Sequence, residues 1–124
     1  MAAGDRLREG LRRNVCERQF HAFFPDPADY AATKWALAGY AKGIARDLGP
    51  RNITVNVVQP GIMPTDMASE VAGELPDREA ILDMHPIRRI ATLEEVADIV
   101  CFLAGPSADY VNGEAINVAG GFGI

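Results

Sequence analysis

Two segments of the chain show the apolar spacing of helices, and each is bounded by start and stop signals. The first covers residues 27–48, is rich in alanine, and is followed at once by Gly49 and Pro50. The second begins at Thr92, where Thr92 and Glu95 form the sequence pattern of a capping box. Apolar residues then recur at the spacing of one helix face, at Val96, Ile99, Val100 and Leu103. The pattern predicts helices over both segments, and a shorter one over 77–84.

β-Branched residues mark two short strands. Residues 53–58 read Ile-Thr-Val-Asn-Val-Val, a run typical of a buried strand, and Gln59-Pro60-Gly61 ends it. Residues 115–118 follow an Asn112-Gly113 turn and predict a last strand. A helix followed closely by a buried strand is typical of a parallel sheet covered by helices. The sequence therefore predicts an α/β fold.

The remaining segments carry weaker patterns. Leu7, Leu11 and Val15 fit a helical stripe near the start of the chain, which two glycines weaken. Residues 62–76 contain prolines and little periodicity, so they predict a long loop. A loop of this length inside a compact domain is often functional.

A tyrosine and a lysine stand four residues apart near the start of the first helix, at Tyr30 and Lys34. This spacing places both side chains on one helix face. An ammonium group one turn away favours the phenolate form of a tyrosine. Such a tyrosine can exchange a proton with a substrate oxygen near neutral pH. Pairs of this kind also occur by chance on helix surfaces, and the spacing alone leaves both interpretations open.

Composition excludes several classes of function. The 124 residues suffice for one domain with a modest core, and the net charge of −5 argues against nucleic acid as the main partner. The chain has neither an apolar run of the ~20 residues that a membrane span needs nor a signal-peptide core. We therefore expect a cytoplasmic protein. The cysteines and histidines are not at metal-ligand spacing, so no metal site is predicted; they are Cys16, His21, His85 and Cys101.

Together, these motifs resemble the C-terminal half of the short-chain dehydrogenase/reductase family. The pieces arrive in the family's order: Tyr30-Ala31-Ala32-Thr33-Lys34, the run from Arg46 to Asn56, Pro60-Gly61-Ile62-Met63-Pro64-Thr65, Pro86 to Ala97, and the pairs Asn112-Gly113 and Gly120-Gly121. The first resembles the family's Tyr-x-x-x-Lys motif and the third its Pro-Gly-x-x-x-Thr loop. Within the family, the chain looks most like 3-oxoacyl carrier-protein reductases.

The resemblance implies a partial Rossmann-type parallel sheet with flanking helices. We expect it to contain two parallel strands, and to occupy residues 29–124. Residues 1–28 would be an irregular or non-family N-terminal segment. Members of the family commonly associate through the tyrosine helix and the last strand, so a homo-oligomer is also expected.

The resemblance also implies an activity and the residues that perform it. The chain would be an NAD(P)-dependent oxidoreductase that interconverts a ketone and a secondary alcohol, with NAD or NADP as cofactor and a small carbonyl or alcohol as substrate. Tyr30 and Lys34 would be catalytic and would also bind the cofactor. Tyr30 would be the general acid/base, and Lys34 would hold the nicotinamide ribose. Backbone groups of Pro60, Gly61 and Ile62 would orient the nicotinamide, while Thr65 would bind its carboxamide or the pyrophosphate.

Two features depart from the family pattern. The sequence has no Gly-rich loop of the kind that binds a pyrophosphate at a helix N-terminus. Glu17 stands where the family's catalytic serine precedes the tyrosine, and a carboxylate would repel a developing oxyanion. We interpret the chain as a truncated family member. An inactive fragment that serves only as an oligomerisation or binding module is the alternative interpretation.

Overall fold

A parallel sheet organises the chain in the computed structural model, which describes residues 13–16, 28–64 and 78–122. The helices and strands, in chain order, are β1 (Arg13–Cys16), α1 (Ala28–Leu48), β2 (Val55–Pro60), α2 (Arg78–Asp83), α3 (Leu93–Ala104) and β3 (Ala115–Val118). Within the described residues the sheet has three strands in the order β1-β2-β3, and both neighbouring pairs are parallel. The predicted α/β fold with a partial Rossmann-type sheet is confirmed.

The first strand corrects two expectations. The sheet has three strands instead of two, because β1 pairs with β2 from Arg13 opposite Val55 to Cys16 opposite Val58. The helical stripe is therefore wrong at Val15, and its other members lie outside the described residues. The hydrogen bonds of β1 come from a distant strand, so local spacing does not reveal it. The division of the chain at residue 28 stays a prediction.

The boundaries of the other elements follow local signals more closely. The α3 helix begins with the predicted capping box, in which Thr92 Oγ1 accepts from the Glu95 amide while Glu95 accepts from the Thr92 amide. The last strand has its predicted bounds. The central strand starts later than predicted and continues through Gln59 and Pro60, because these residues pair with β3. A sequence turn signal at its end is thus overridden by pairing with a neighbour.

Both faces of β2 are covered, and all of its residues are buried. On one face, Ala41 of α1 packs in a cluster with Val55 and Val57. On the other face, Val58 packs with Leu103 of α3. Because side chains alternate along a strand, β2 places successive residues into these two separate apolar layers.

The side chains of two asparagines connect separate segments of the fold by hydrogen bonds. The side chain of Asn112 donates from Nδ2 to the Ala45 carbonyl (3.1 Å) and accepts at Oδ1 from the Val55 amide (2.9 Å). It thereby links the end of α1 to the start of β2. Asn56, which is wholly buried, links β2 to the segment before β3 in a similar way.

Replacing Asn56 with leucine should destabilise the fold. Asn56 Nδ2 donates to the Val111 carbonyl (2.9 Å), and Oδ1 accepts from the Glu114 amide (3.1 Å). Leucine has a similar shape but would leave both backbone groups without this partner. Since each such loss costs about 1–3 kcal/mol, urea unfolding should show a decrease of roughly 2 kcal/mol or more.

The control for this experiment is Asn117→Leu, which changes an exposed asparagine in the same sheet. It should change the free energy of unfolding by a few tenths of a kcal/mol at most, about the usual range for surface positions. Equal losses in the two variants would contradict the bridging role of Asn56.

Candidate active site

The sheet-facing side of α1 extends to the tyrosine and the lysine near its start. Its buried and half-buried positions recur at three- and four-residue spacing, at Tyr30, Ala31, Lys34, Leu37, Ala38, Ala41, Ile44, Ala45 and Leu48. The C-terminal members of this stripe pack on β2. Because Tyr30 and Lys34 belong to the same stripe, they lie on the face that the helix turns toward the sheet.

Tyr30 and Lys34 contact one another across one helical turn. The Lys34 ammonium lies 5.4 Å from the centroid of the Tyr30 ring, within the range of a cation–π interaction. The hydroxyl of the intervening Thr33 donates to the Tyr30 carbonyl (2.7 Å). Both members of the pair are half-buried. The arrangement places a phenol and an ammonium together, as the helical spacing predicts.

The chain reversal between α1 and β2 determines which edge of the sheet this pair approaches. The end of α1 lies beside the start of β2, where Ile53 donates its amide hydrogen to the Leu48 carbonyl. Helix and strand then run in opposite directions. The start of α1, with Tyr30 and Lys34, therefore lies toward the carboxyl end of β2. In open parallel sheets this is the edge where ligands bind.

The loop that leaves β2 at this edge approaches the end of β3 closely. Gly61 donates its amide hydrogen to the Val118 carbonyl (3.0 Å). A Cβ atom on Gly61 would lie 2.9 Å from the Cα of Ala119, closer than real Cβ contacts. Glycine therefore permits the contact between the two strand ends. Pro60, Gly61 and Ile62 are all buried, which fixes the backbone of this loop.

A cavity of about 360 Å³ lies behind this loop. Gly61 and Ile62 line it from the end of β2, and the segment from Asn117 to Gly121 lines it from β3. The segment before α3 contributes Arg89 to the lining, and α3 itself contributes Glu95. Of the predicted site residues, Gly61 and Ile62 line this cavity, whereas Tyr30 and Lys34 do not.

Arg89 is engaged by Glu95 on the cavity wall. Its guanidinium donates through both terminal nitrogens to the Glu95 carboxylate, with Nη1 2.8 Å from Oε2 and Nη2 2.5 Å from Oε1. These hydrogen bonds, with the one from the Thr92 amide, lower the pKa of Glu95 from 4.5 to about 2. Arg88 forms a separate ion pair with Asp83. Both arginines thus have carboxylate partners within the fold.

Other expectations fall outside this geometry. Thr65 lies outside the described residues, as does Glu17. His85 is buried and stacks on Phe122, with ring centroids 4.9 Å apart. Across the described ranges, no cluster of three or more His, Cys, Asp or Glu side chains is placed to hold a metal ion. Within the same ranges, no helix has the length and apolar character needed to cross a membrane.

Sequence reasoning missed Gln59, which is buried next to the loop. Its side chain is 4% exposed, and Nε2 has no hydrogen-bond partner among the described residues. The available signal was a second polar residue, besides Asn56, in a strand of valines that both neighbouring layers bury. Buried polar groups normally need a partner. We interpreted Gln59 from the sequence only as part of a strand end.

Comparison with known proteins identifies the family to which this site belongs. The family model described as enoyl-(acyl carrier protein) reductase matches residues 18–123. The chain belongs to the short-chain dehydrogenase/reductase family. A cyclic-di-GMP-binding biofilm dispersal mediator protein of Escherichia coli is 49% identical over 77% of this chain. A 3-oxoacyl-acyl-carrier-protein reductase of Salmonella typhimurium is 43% identical over 76% of it.

The match to solved short-chain dehydrogenase/reductase structures covers nearly the whole chain. An actinorhodin polyketide ketoreductase variant with NADPH superimposes with a TM-score of 0.84 and 32% identity over 97% of this chain. The chain spans 50% of that structure, and 39% and 38% of the length of the two sequence relatives. The names of these relatives describe different activities. The comparisons therefore show the family of this chain but not its substrate.

The residues of this short-chain dehydrogenase/reductase chain fit the nicotinamide half of a dinucleotide. Lys34 provides an ammonium group, and Gly61 leaves no side chain between the loop and the strand end. Gln59 has a buried donor without a partner. These groups can bind hydroxyl and carbonyl oxygens, which are the polar atoms of a nicotinamide riboside.

Gly61→Ala should destabilise the chain, and Gly39→Ala should stabilise it. The new Cβ at position 61 would meet Ala119, so the loop or the end of β3 must shift. Overpacking of this kind costs about 1–3 kcal/mol. A Cβ atom on Gly39 would meet no atom within 4 Å, and this glycine lies exposed in α1, where alanine is favoured by about 1 kcal/mol. Urea unfolding measures the free energy of unfolding of both variants. A Gly61→Ala variant as stable as the wild type would contradict the close approach of Gly61 to Ala119.

Glu95→Gln should reduce stability most above pH 4.5. The folded-state pKa of about 2 lies below the ordinary 4.5, so the ionised group stabilises the fold fully above pH 4.5 and loses this effect toward pH 2. Glutamine keeps the capping pattern but removes the charge. The difference in thermal midpoint between wild type and variant should therefore narrow as the pH falls through this range. The control is Glu94→Gln, which changes an exposed carboxylate on the same turn and should shift the thermal midpoint less. If the midpoint difference between wild type and Glu95→Gln did not depend on pH, that result would contradict the ion pair.

Proposed function

We propose that the chain is an NAD(P)-dependent oxidoreductase that interconverts a ketone and a secondary alcohol, with Tyr30 as general acid/base. The observation that supports this most directly is the placement of Tyr30 and Lys34. They lie together on the sheet-facing stripe of α1, at the ligand-binding edge of a parallel sheet. Membership of the short-chain dehydrogenase/reductase family supports the same reaction class.

In this proposal each residue performs one step or holds one group. The Tyr30 hydroxyl donates its proton to the alkoxide oxygen as the ketone is reduced, and the tyrosine takes the proton back in the oxidation direction. The Lys34 ammonium stabilises the phenolate that remains, and it binds ribose hydroxyls. The cofactor supplies the hydride when it is bound. The backbone of Pro60, Gly61 and Ile62 orients the nicotinamide, and Thr65 binds its carboxamide or the pyrophosphate.

The cofactor and substrate classes follow from the relatives and from the residues. A relative of known structure carries NADPH, so NADP or NAD is the proposed cofactor. A small carbonyl or alcohol is the proposed substrate, because 3-oxoacyl-acyl-carrier-protein reductases are among the relatives. We further propose a cytoplasmic homo-oligomer that does not bind membranes. The net charge of −5 argues against nucleic acid as a partner.

A non-catalytic binding module is the second candidate function. Trp35 and Tyr40 of α1 are 58% and 68% exposed, which gives this helix an aromatic surface that a partner chain could cover. Glu17 instead of a serine also favours this alternative, because the substrate carbonyl would lack its neutral hydrogen-bond donor. The two candidates differ in whether the purified chain binds cofactor and turns over ketones.

A cofactor titration should show saturable binding of NADPH or NADH to the purified chain. Trp35 follows Lys34 directly in α1, so energy transfer from its indole to the reduced nicotinamide should accompany binding. Tyr30→Phe should leave binding nearly unchanged and reduce ketone turnover about 100-fold or more, the usual contribution of a general acid. Fluorescence measures the binding, and NADPH oxidation measures the turnover.

Tyr40→Phe is the matched control. It removes a phenol from the same helix at an exposed position. Its turnover should equal that of the wild type. Equal turnover by Tyr30→Phe and wild type would contradict the proposed catalytic role, whereas a chain that binds neither cofactor at millimolar concentration would support the binding module.

A further inference from the structure

The central strand has a buried polar atom without a partner near each of its ends. Thr54 Oγ1 lies just before β2, and Gln59 Nε2 lies near its carboxyl end. The two residues are 8% and 4% exposed, and within the described ranges neither atom forms a hydrogen bond. A buried donor without an acceptor is unfavourable, so native structures usually provide one. Each atom therefore requires a specific explanation.

The two ends of the strand differ in what surrounds them. Thr54 lines a cavity at the amino ends of the strands, with residues such as Asn52 and Tyr110. Gln59 lies at the opposite edge and directly precedes the Pro60-Gly61-Ile62 loop. Since ligands of parallel sheets bind beyond the carboxyl ends of the strands, only Gln59 is placed for the candidate site.

The side chain of Gln59 faces α1 rather than α3. Val55 and Val57 pack on the α1 side, and Val58 packs on the α3 side. Alternation along the strand therefore places Gln59 on the α1 side. It stands about 7 Å beyond Val57 along the strand.

The position of Gln59 along the strand can be compared with positions along α1, where Tyr30 and Lys34 lie. Ala41 packs at the level of the Val55–Val57 segment. A shift of about 7 Å corresponds to roughly four to five helical residues, at about 1.5 Å each. Gln59 therefore lies near the level of Leu37, one turn from Lys34 on the same sheet-facing stripe. Along the chain, Gln59 directly precedes the Pro60-Gly61-Ile62 loop.

We propose that Gln59 is a cofactor-binding residue whose side-chain amide donates a hydrogen bond to an oxygen of the nicotinamide riboside. This inference rests on the proposed function. A primary amide is a neutral donor whose natural acceptors are carbonyl and hydroxyl oxygens, both of which a nicotinamide riboside carries. Lys34 would bind the same half of the cofactor, so the two side chains would act on adjacent groups.

The cofactor must gain access to this donor. Nε2 is sealed from solvent in the free chain, so binding requires Gln59 to change rotamer or its cover to move. The unpartnered donor then destabilises the free chain, and the hydrogen bond to the cofactor removes this destabilisation in the complex. Gln59 would weaken the free fold slightly while strengthening cofactor binding. A single substitution that removes the donor should therefore raise stability and lower affinity.

Gln59→Met tests both effects in the full chain. Methionine fills a similar volume without a donor, so the unfolding midpoint of the free chain should be equal or higher. NADPH should bind about 3- to 10-fold more weakly, which is the usual contribution of one neutral hydrogen bond. Reduced nicotinamide mononucleotide, which lacks the adenosine half, should show the same loss. Thr54→Val removes the other unpartnered atom and should leave the binding of both probes unchanged.

Each outcome decides the proposal. Equal binding by wild type and Gln59→Met would reject the role of Gln59 and leave the proposed function standing. A lower midpoint for the free Gln59→Met chain would show that the amide already has a partner, which also rejects the role. A loss confined to NADPH would assign the contact to the other half of the cofactor and overturn the proposal. Failure of the wild-type chain to bind either probe would reject the proposed function and this inference together.

Discussion

Burial of β2 on both faces is the constraint on which the rest of the structure depends. A strand with one solvated face can alternate apolar and polar residues, but β2 must satisfy two apolar layers at once. Val57 and Val58 do so by packing toward α1 and α3 respectively. The strand also pairs with a neighbour at each edge. Its position therefore determines where α1, α3 and the other two strands lie.

This constraint also sets the candidate site. α1 is attached to β2 through small residues, Ala41 and Ala45, which allow the helix to approach the sheet closely. Asn112 fixes the far end of the helix by bonding the Ala45 carbonyl. With one end held and the alanines packed, the direction of the helix is defined. The placement of Tyr30 and Lys34 at the opposite end follows from packing that is distant from them.

Local signals predicted much of the fold, whereas non-local pairing did not appear in the sequence. The capping box at Thr92 and the apolar face of α3 depend on residues within a few positions of one another, so their spacing is readable. The strand at Arg13–Cys16 contains arginine and asparagine and gains its stability from hydrogen bonds with residues of β2. A strand of this kind fits a pleated surface that only the folded chain provides, so its own residues do not indicate it.

The same distinction applies to the site. Helical periodicity was enough to place Tyr30 and Lys34 on one face, because a helix fixes the relation between positions four apart. The Arg89–Glu95 pair joins a loop to a helix, and no period relates the two residues. Gln59 was missed because its significance depends on what surrounds it: a glutamine in a strand is ordinary at an edge and unfavourable in a buried layer. Burial of a polar group without a partner weakens the free fold, so Gln59 gives up some stability and keeps a hydrogen-bond donor at the edge where ligands of parallel sheets bind.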